Sequence, residues 1–278
     1  MEIGLAIERF LADLEVGRAP ATVATYRSVL RRFAEYLDEC QPRPTTVADL
    51  SAEHPIGFTR WVSDHGRAPR STVQLYATAV TRLYAFLVRE ELRADLPIER
   101  IQLRLTQLRG KRAKRLPKVP TDDLVERVLA AARAAPAASS PDGELIRLRN
   151  IALVETLRGS GMRVSEIVSL RRGDLEREQR RAVVTGKGSK QRLVFFTDPA
   201  WRAIWTYLDA RGDGATARGL ANLPVFARHD RAAGRRPGPL TTQSVRKVVW
   251  ELARSCQADE AGITPHRFRA WFATHLVA

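Results

Sequence analysis

The chain has 278 residues, two cysteines and a formal net charge of +15. Its length suggests two domains, and its apolar content of 44% is sufficient for ordinary hydrophobic cores. No stretch approaches the roughly 18 consecutive apolar residues of a membrane span, and neither Cys40 nor Cys256 has a CxxC partner, which argues against a membrane protein and a disulfide scaffold. Acidic residues among the first fifteen positions argue against a signal peptide, and we expect a cytoplasmic protein.

Residues 1–108 are predicted to form a helical domain. Apolar residues recur at alternating spacings of three and four over Val23–Leu37 and again over Val73–Leu87, which indicates two amphipathic helices. A Gly-Arg-Ala-Pro sequence precedes each stretch, and its proline suits the first turn of a helix. Two further helices are predicted near 2–15 and 46–64, giving a four-helix unit.

Positive charge is concentrated after this helical part. Residues 1–110 hold 15 Arg and 14 acidic residues, whereas residues 111–278 hold 31 basic and 17 acidic residues. Such concentration favours an anionic surface as partner. The densest run, 109–118, has six cations and no acid, and we place the domain boundary there. The excess of Arg over Lys fits either a GC-rich genome or bidentate phosphate binding.

Residues 119–278 are predicted to mix helices with a small antiparallel sheet. Thr121 is a predicted N-cap of a helix that runs to about 134, and a second helix ends at Gly159-Ser-Gly161. Two β-rich runs, 182–185 and 193–197, flank a glycine-rich turn and predict a hairpin. Further helices are predicted near 199–211, near 241–256 and from 265 onward, with a loop at 212–240.

The first candidate site residue follows the glycine-rich turn. In Gly159-Ser-Gly-Met-Arg163-Val-Ser-Glu166, Arg163 is predicted in the first turn of a short helix, where the helix dipole disfavours a cation unless an anion binds there too. Glu166 lies three residues further on and is placed to pair with Arg163. A simple surface ion pair fits this segment equally well.

The second candidate lies at the predicted hairpin tip. In Thr185-Gly-Lys187-Gly-Ser-Lys190-Gln-Arg192, Lys187 stands between two glycines, which allow backbone to approach a phosphate closely. The spacing is not that of a nucleotide-binding P-loop. An ordinary polar hairpin tip would also explain the sequence.

The third candidate segment begins the last predicted helix. His266 and Arg269 are i,i+3 neighbours after Pro265, an arrangement suited to binding an anion. A lone histidine is more often structural, and only its pairing with an arginine favours the functional interpretation. Phe268, Phe272 and Leu276 form an apolar stripe that is predicted to be buried.

Together the three segments supply two Arg, one Lys and one His, a set suited to attack on a phosphodiester. Guanidinium groups can neutralise the non-bridging oxygens, a Lys can protonate the leaving 5′ oxygen, and a His can assist proton transfer at the nucleophile. Neither a carboxylate cluster nor an HExxH motif points to Mg²⁺ or Zn²⁺, and we expect no cofactor.

These segments, in this order, resemble the motif boxes of the tyrosine recombinase (phage integrase) family, and they are most similar to its Xer-type members. The resemblance is carried by SGMRVSEIVSLRRGDLE, TGKGSKQRLVFF and ITPHRFRAWFATHL, and by ATVATYRSVLRRFAEYL in the first domain. It covers essentially the whole chain. It implies a mainly α architecture, with a four-helix SAM-like core-binding domain at 1–108, a basic linker at 109–118 and an α+β catalytic domain at 119–278 whose C-terminal part is missing.

The resemblance also implies roles for the candidate residues. Arg163 and Arg269 would clamp the scissile phosphate, and Glu166 would support them. Lys187 would be the general acid, and His266 would assist proton transfer. The family cuts and rejoins duplex DNA through a 3′-phosphotyrosyl intermediate without metal or ATP. By resemblance the two domains would form a C-shaped clamp on DNA, and full-length subunits would assemble on DNA as a tetramer. The predicted DNA-binding residues are Arg109, Lys111, Arg112, Lys114, Arg115, Lys118, Lys190 and Arg192.

The sequence departs from the family in two places. A nucleophilic Tyr should follow the His-x-x-Arg box, but only nine residues follow Arg269 and the five tyrosines all lie upstream of it. We therefore expect a truncated chain or a natural tail-less variant that binds DNA without forming a covalent adduct, and that is a monomer in free solution. Ala270 stands where the family usually has His.

Other functions stay open at this point. A non-enzymatic DNA-binding regulator or decoy on the same fold is the main alternative to a site-specific recombinase. An unrelated RNA-binding protein explained only by charge is disfavoured, because the chain lacks RNP-like aromatic runs and a KH-type GxxG loop. As a DNA-acting protein it would be nucleoid-associated. The sequence reveals neither the target site nor whether the chain serves chromosome-dimer resolution, phage integration or transposon movement.

Overall fold

The computed structural model describes residues 1–66, 68–109, 118–137, 139–140, 142–186, 190–214, 217–229, 237–258 and 262–276. The chain divides into two compact units, Met1–Lys114 and Arg115–Ala278, each with its own hydrophobic core. Most of the predicted basic linker, residues 110–117, lies outside the described residues. Within the described ranges, no helix is long and apolar enough to cross a membrane.

Helices build the N-terminal unit, and the predicted apolar stripes form its core. Val23, Tyr26, Leu30, Phe33 and Leu37 are all buried, as their spacing predicts. The second stripe is confirmed at Val80, Leu83 and Leu87, whereas Val73 and Tyr76 are only partly buried. The helices are α1 (Ile3–Gly17), α2 (Pro20–Glu39), α3 (Glu53–Gly66), α4 (Arg70–Arg89) and α5 (Ile98–Arg109).

Two features of this unit differ from the prediction. The helix expected over 46–64 begins only at Glu53, because a short 3-10 turn precedes it. In that turn the Asp49 carboxylate accepts hydrogen bonds from the backbone N–H groups of Thr45 and Thr46, at 3.0 and 2.8 Å. The fifth helix, α5, was not predicted. It packs against α3 and α4 through apolar residues such as the fully buried Ile101.

The second unit has the predicted α+β composition. A three-stranded antiparallel sheet has the order β1-β2-β3 among the described residues. Helix α7 lies at the centre of the unit and packs against α6, α9 and α12. The helices are α6 (Asp122–Ala134), α7 (Gly143–Ser160), α8 (Val164–Ser169), α9 (Asp198–Arg211), α10 (Ala217–Ala221), α11 (Thr242–Ser255) and α12 (Pro265–His275). The strands are β1 (Leu175–Glu176), β2 (Arg181–Thr185) and β3 (Gln191–Phe195).

The prediction of a simple loop over 212–240 is wrong. This stretch contains α10, and its Val225-Phe226-Ala227 segment is fully buried. The start of the 212–240 stretch is held by a buried carboxylate. Asp213 pairs with Arg211 at 2.6 Å and with Arg172 at 2.5 Å. The many glycine, arginine and proline residues favoured a loop prediction, although the apolar run Val225–Ala227 belongs to the hydrophobic core.

Gly161 shapes the turn between α7 and α8 in two ways. It ends α7 with a φ of +59°, a conformation that side-chain-bearing residues adopt only at a cost in energy. A Cβ atom at this position would also collide with the ring of Phe272 on α12. The glycine therefore permits both the reversal of the chain and the close approach of α12.

We expect Gly161→Ala to destabilise the second unit more than Gly212→Ala does. Both glycines have positive φ values, of 59° and 55°, but a Cβ at Gly212 would meet nothing within 4 Å. The φ strain alone costs about 1 kcal/mol, and displacement of the Phe272 ring adds about 1–3 kcal/mol. Urea unfolding followed by circular dichroism measures the difference. Equal losses of stability in the two variants would contradict the close approach of Phe272.

Candidate active site

A cleft of about 680 Å³ lies where the start of α8 meets α11 and the start of α12. We call it the basic cleft, and its principal lining residues are Arg163, Thr242, Arg246, Trp250, His266 and Arg269. The structure therefore brings three of the four predicted catalytic residues to one place. The fourth, Lys187, lies outside the described residues.

Arg163 is the N-cap of α8, and not a residue of its first turn as predicted. Its backbone is extended, with φ −74° and ψ 150°. The Glu166 carboxylate accepts one hydrogen bond from the Arg163 backbone N–H at 2.8 Å and another from its Nη1 at 2.9 Å. Glu166 thus satisfies a free N–H group of the helix start and also holds the guanidinium in position, which confirms the predicted pairing.

Glu166 also binds a second arginine. Its side chain is only 2% exposed, and its Oε2 accepts a hydrogen bond from Arg192 Nη2 at 2.7 Å. Burial by itself would raise the pKa of Glu166, but hydrogen bonds from the Arg163 backbone and side chain, together with the Arg192 charge, lower it below its ordinary value. Arg192, predicted as a DNA contact, is thus part of the ion-pair group at the cleft.

The predicted hairpin is present, and its turn begins beside Glu166. Strands β2 and β3 pair with Val184 opposite Arg192, which places that arginine on the sheet. The Gly186 N–H donates to the Lys190 carbonyl at 2.8 Å, and a Cβ at Gly186 would lie 3.7 Å from Glu166 Oε1. In the sequence Lys187 directly follows Gly186. The Lys190 side chain is exposed.

Helix α12 contributes His266 and Arg269. Thr264 caps this helix through its hydroxyl, which accepts a hydrogen bond from the Arg267 backbone N–H at 3.3 Å. The Arg269 guanidinium donates to the Gly161 carbonyl, and so the turn before α8 fixes it. Burial lowers the pKa of Arg269, and the nearby charges of Arg163 and Arg192 lower it further.

The charged side chains around Glu166 carry a net positive charge. Three guanidinium groups, those of Arg163, Arg192 and Arg269, interact with one carboxylate, that of Glu166, so the positive charge is in excess. A larger groove of about 830 Å³ in the N-terminal unit is different, because acidic side chains such as Glu8 and Glu15 accompany its arginines. The basic cleft is therefore the better place to bind an anion.

Helix α11 forms a wall of the cleft that the sequence did not predict. Thr242, Arg246 and Trp250 follow one another at four-residue spacing and line the cleft from one side of this helix. The spacing is visible in the sequence and indicates one helical face. Which face of α11 meets α8 and α12 depends on packing, and therefore the sequence did not assign these residues to the site.

The far end of α12 is attached to α6. Asp122 Oδ1 accepts a hydrogen bond from Trp271 Nε1 at 2.7 Å and lies 2.9 Å from His275 Nε2. The apolar stripe predicted on α12 is only partly correct. Phe268 is fully buried and Phe272 is partly buried. Leu276 is 69% exposed, because little of its side chain is covered by the described residues.

Comparison with known proteins identifies the family to which both units of the chain are similar. Residues 120–278 match the phage integrase family, and residues 7–91 match the N-terminal SAM-like domain of phage integrases. Tyrosine recombinase XerD of Halalkalibacterium halodurans is 30% identical over 274 residues, covering 98% of this chain and 83% of the relative. XerD of Mycobacterium tuberculosis is 32% identical over 284 residues, covering 99% and 85%.

A solved structure shares the fold at lower identity. The site-specific recombinase XerH, in a post-cleavage complex with a palindromic difH substrate, superposes with a TM-score of 0.68 at 18% identity, over 91% of this chain and 68% of that chain. The chain described here belongs to the phage integrase family. Because both XerD relatives align over nearly its whole length, it is a tyrosine recombinase of the Xer type.

We expect Glu166→Gln to destabilise the second unit by about 2–4 kcal/mol, because it removes a buried charge that pairs with two arginines. The contribution is present above the unfolded pKa of the carboxyl, about 4.3, and is lost as the pH falls through its lower folded value. Urea unfolding at neutral and acidic pH measures this.

The matched control is Glu144→Gln, which removes an exposed pair with Arg147 at 2.6 Å. We expect this control to change stability much less, because solvent screens an exposed ion pair. A Glu166→Gln variant as stable as this control at neutral pH would contradict the anchoring role of Glu166.

Proposed function

We propose that the basic cleft binds one backbone phosphate of duplex DNA at the point where a site-specific recombinase exchanges strands. The observation that carries the proposal is the convergence of Arg163 and Arg269 on one cleft, although they are separated by more than a hundred residues in sequence. Two guanidinium forks can hold the non-bridging oxygens and stabilise the charge that builds up on a pentacoordinate phosphorus.

The remaining candidate residues take the proton-transfer roles. His266, exposed on the first turn of α12, would assist removal of the proton from the attacking hydroxyl. Lys187 would protonate the 5′ oxygen as its bond to phosphorus breaks. The start of its hairpin turn beside Glu166 supports this assignment. Glu166 acts as a positioning residue that keeps Arg163 and Arg192 in place.

We further propose that these 278 residues bind DNA without attaching to it covalently. None of the five tyrosines, all within the described ranges, lines the basic cleft. Four of them belong to the N-terminal unit. The fifth, Tyr207, is buried, and its hydroxyl lies 2.8 Å from His229 Nε2 and accepts the Ala227 N–H at 3.2 Å. The nucleophile would have to come from outside these residues.

The relatives support DNA as the partner. The XerH structure holds a difH substrate, and the integrase of the Tn1549 transposon was solved with transposon end DNA. We propose that further copies of the chain assemble on DNA to exchange strands. A DNA-binding regulator on the same fold is the second candidate, and the position of the tyrosines is the observation that favours it.

We expect Arg163→Ala and Arg269→Ala each to weaken DNA binding and to reduce the slope of log affinity against log salt by up to about one, since each removes one of the two cations that hold the same phosphate. Sequence preference survives in both variants, because these side chains would contact phosphate and not bases. Fluorescence anisotropy across a salt series, with the preferred duplex and a scrambled one, measures both quantities. Arg202→Ala, exposed on α9 outside the cleft, is the control. Unchanged salt slopes in both cleft variants would contradict phosphate binding there.

We expect no covalent protein–DNA adduct from the 278-residue chain. The substrate is a nicked suicide duplex carrying a site that the chain itself selects from a random pool, and a denaturing gel reveals any adduct. The XerD of Mycobacterium tuberculosis on its own site serves as the positive control. A covalent band from this chain would show that one of its own residues is the nucleophile, and would exclude the regulator hypothesis.

A further inference from the structure

An aromatic side chain stands exposed on the wall of the basic cleft. Trp250 is 51% exposed, although large aromatic residues are usually buried for most of their surface. One side of its indole is covered, since the Arg254 guanidinium lies 5.4 Å from the ring centroid. The exposed part of the indole borders a cleft that also presents Arg163, Arg246 and Arg269.

Trp250 stands between two arginines on the same side of α11. Arg246 and Arg254 lie four residues before and after it, so that neighbouring members of this row are about 6 Å apart along the helix axis. Among the described residues neither arginine has a carboxylate within ion-pair distance. The nearest acidic neighbour on α11, Glu251, pairs with Lys247 at 3.7 Å. The row of Arg246, Trp250 and Arg254 is therefore cationic on both sides of an exposed indole.

We propose that Trp250 is a positioning residue for DNA, an inference that rests on the proposed function of the cleft. Its indole would pack against the sugar and base edge of the nucleotide next to the phosphate that Arg163 and Arg269 hold. Arg246 and Arg254 would bind the flanking phosphates. An aromatic face offers a large apolar contact at little entropic cost and accepts any base, whereas the arginines supply the charge.

The first test compares DNA affinities. We expect Trp250→Ala to weaken binding of a short labelled duplex about tenfold at low salt, while leaving the salt slope unchanged. Arg246→Gln, one turn away, should instead lower the slope by about one. If Trp250 merely supported the arginines, its loss would lower the slope as well. Urea unfolding of each variant shows whether the fold is intact.

The second test does not depend on the alanine variant. Because Trp250 is exposed in the cleft, DNA should quench its fluorescence. Trp250→Phe should keep most of the affinity but lose most of the quenching seen with the unaltered chain. Phe195→Ala removes an aromatic side chain that is 62% exposed on the sheet, outside the cleft, and should change neither affinity nor quenching.

The outcomes separate this inference from the proposed function. If the unaltered chain binds no duplex at low salt, the proposed function fails and the role of Trp250 fails with it. If Arg163→Ala lowers affinity and salt slope but Trp250→Ala binds normally, or if Trp250→Phe retains the full quenching, the cleft still binds phosphate and the role of Trp250 is refuted.

Discussion

The site depends on the ion pairs of one buried carboxylate, that of Glu166, with the arginines around it. Glu166 neutralises part of the charge of Arg163 and Arg192, and Arg269 lies close enough for its pKa to be lowered by both. Without the carboxylate, mutual repulsion would drive the guanidinium groups apart. Because Glu166 is the one carboxylate that the described residues place among these three arginines, they keep an excess of positive charge. The fold thus holds cations at a place that an anion would stabilise further, which is the electrostatic preorganisation that phosphoryl transfer requires.

One glycine, Gly161, allows the helices that carry the charged side chains to approach each other closely. Gly161 reverses the chain after α7, leaves room for the Phe272 ring and presents its carbonyl to Arg269. One position thereby joins the helix that precedes Arg163 to the helix that carries Arg269. The sheet brings Arg192 to the same carboxylate from a third direction. The geometry of the cleft is therefore a consequence of the core, and core substitutions near the Gly161 turn should affect the site as well as stability.

The α11 wall gives the cleft a chemistry that charge alone does not provide. Phosphate contacts by arginine position DNA but are the same for every nucleotide, whereas an exposed indole can contact the sugar and base beside the phosphate. In the proposed role, Trp250 between Arg246 and Arg254 would combine the two kinds of contact on one helical face. A recombinase must hold the reacting phosphate at a defined distance from its catalytic groups, and the proposed aromatic contact would limit how far the strand can shift.

Local patterns in the sequence determined most helices of both units, the hairpin, the Glu166–Arg163 pair and the candidate residues, because spacing, caps and glycine turns act over a few residues. They did not determine that α5 completes the first core, that Val225–Ala227 is buried, or that Arg192 binds Glu166 and α11 lines the cleft. Periodicity shows that a helix has an apolar face, but not which neighbour covers it. Those features depend on contacts between residues far apart in the chain, and only the packing of the tertiary structure decides them.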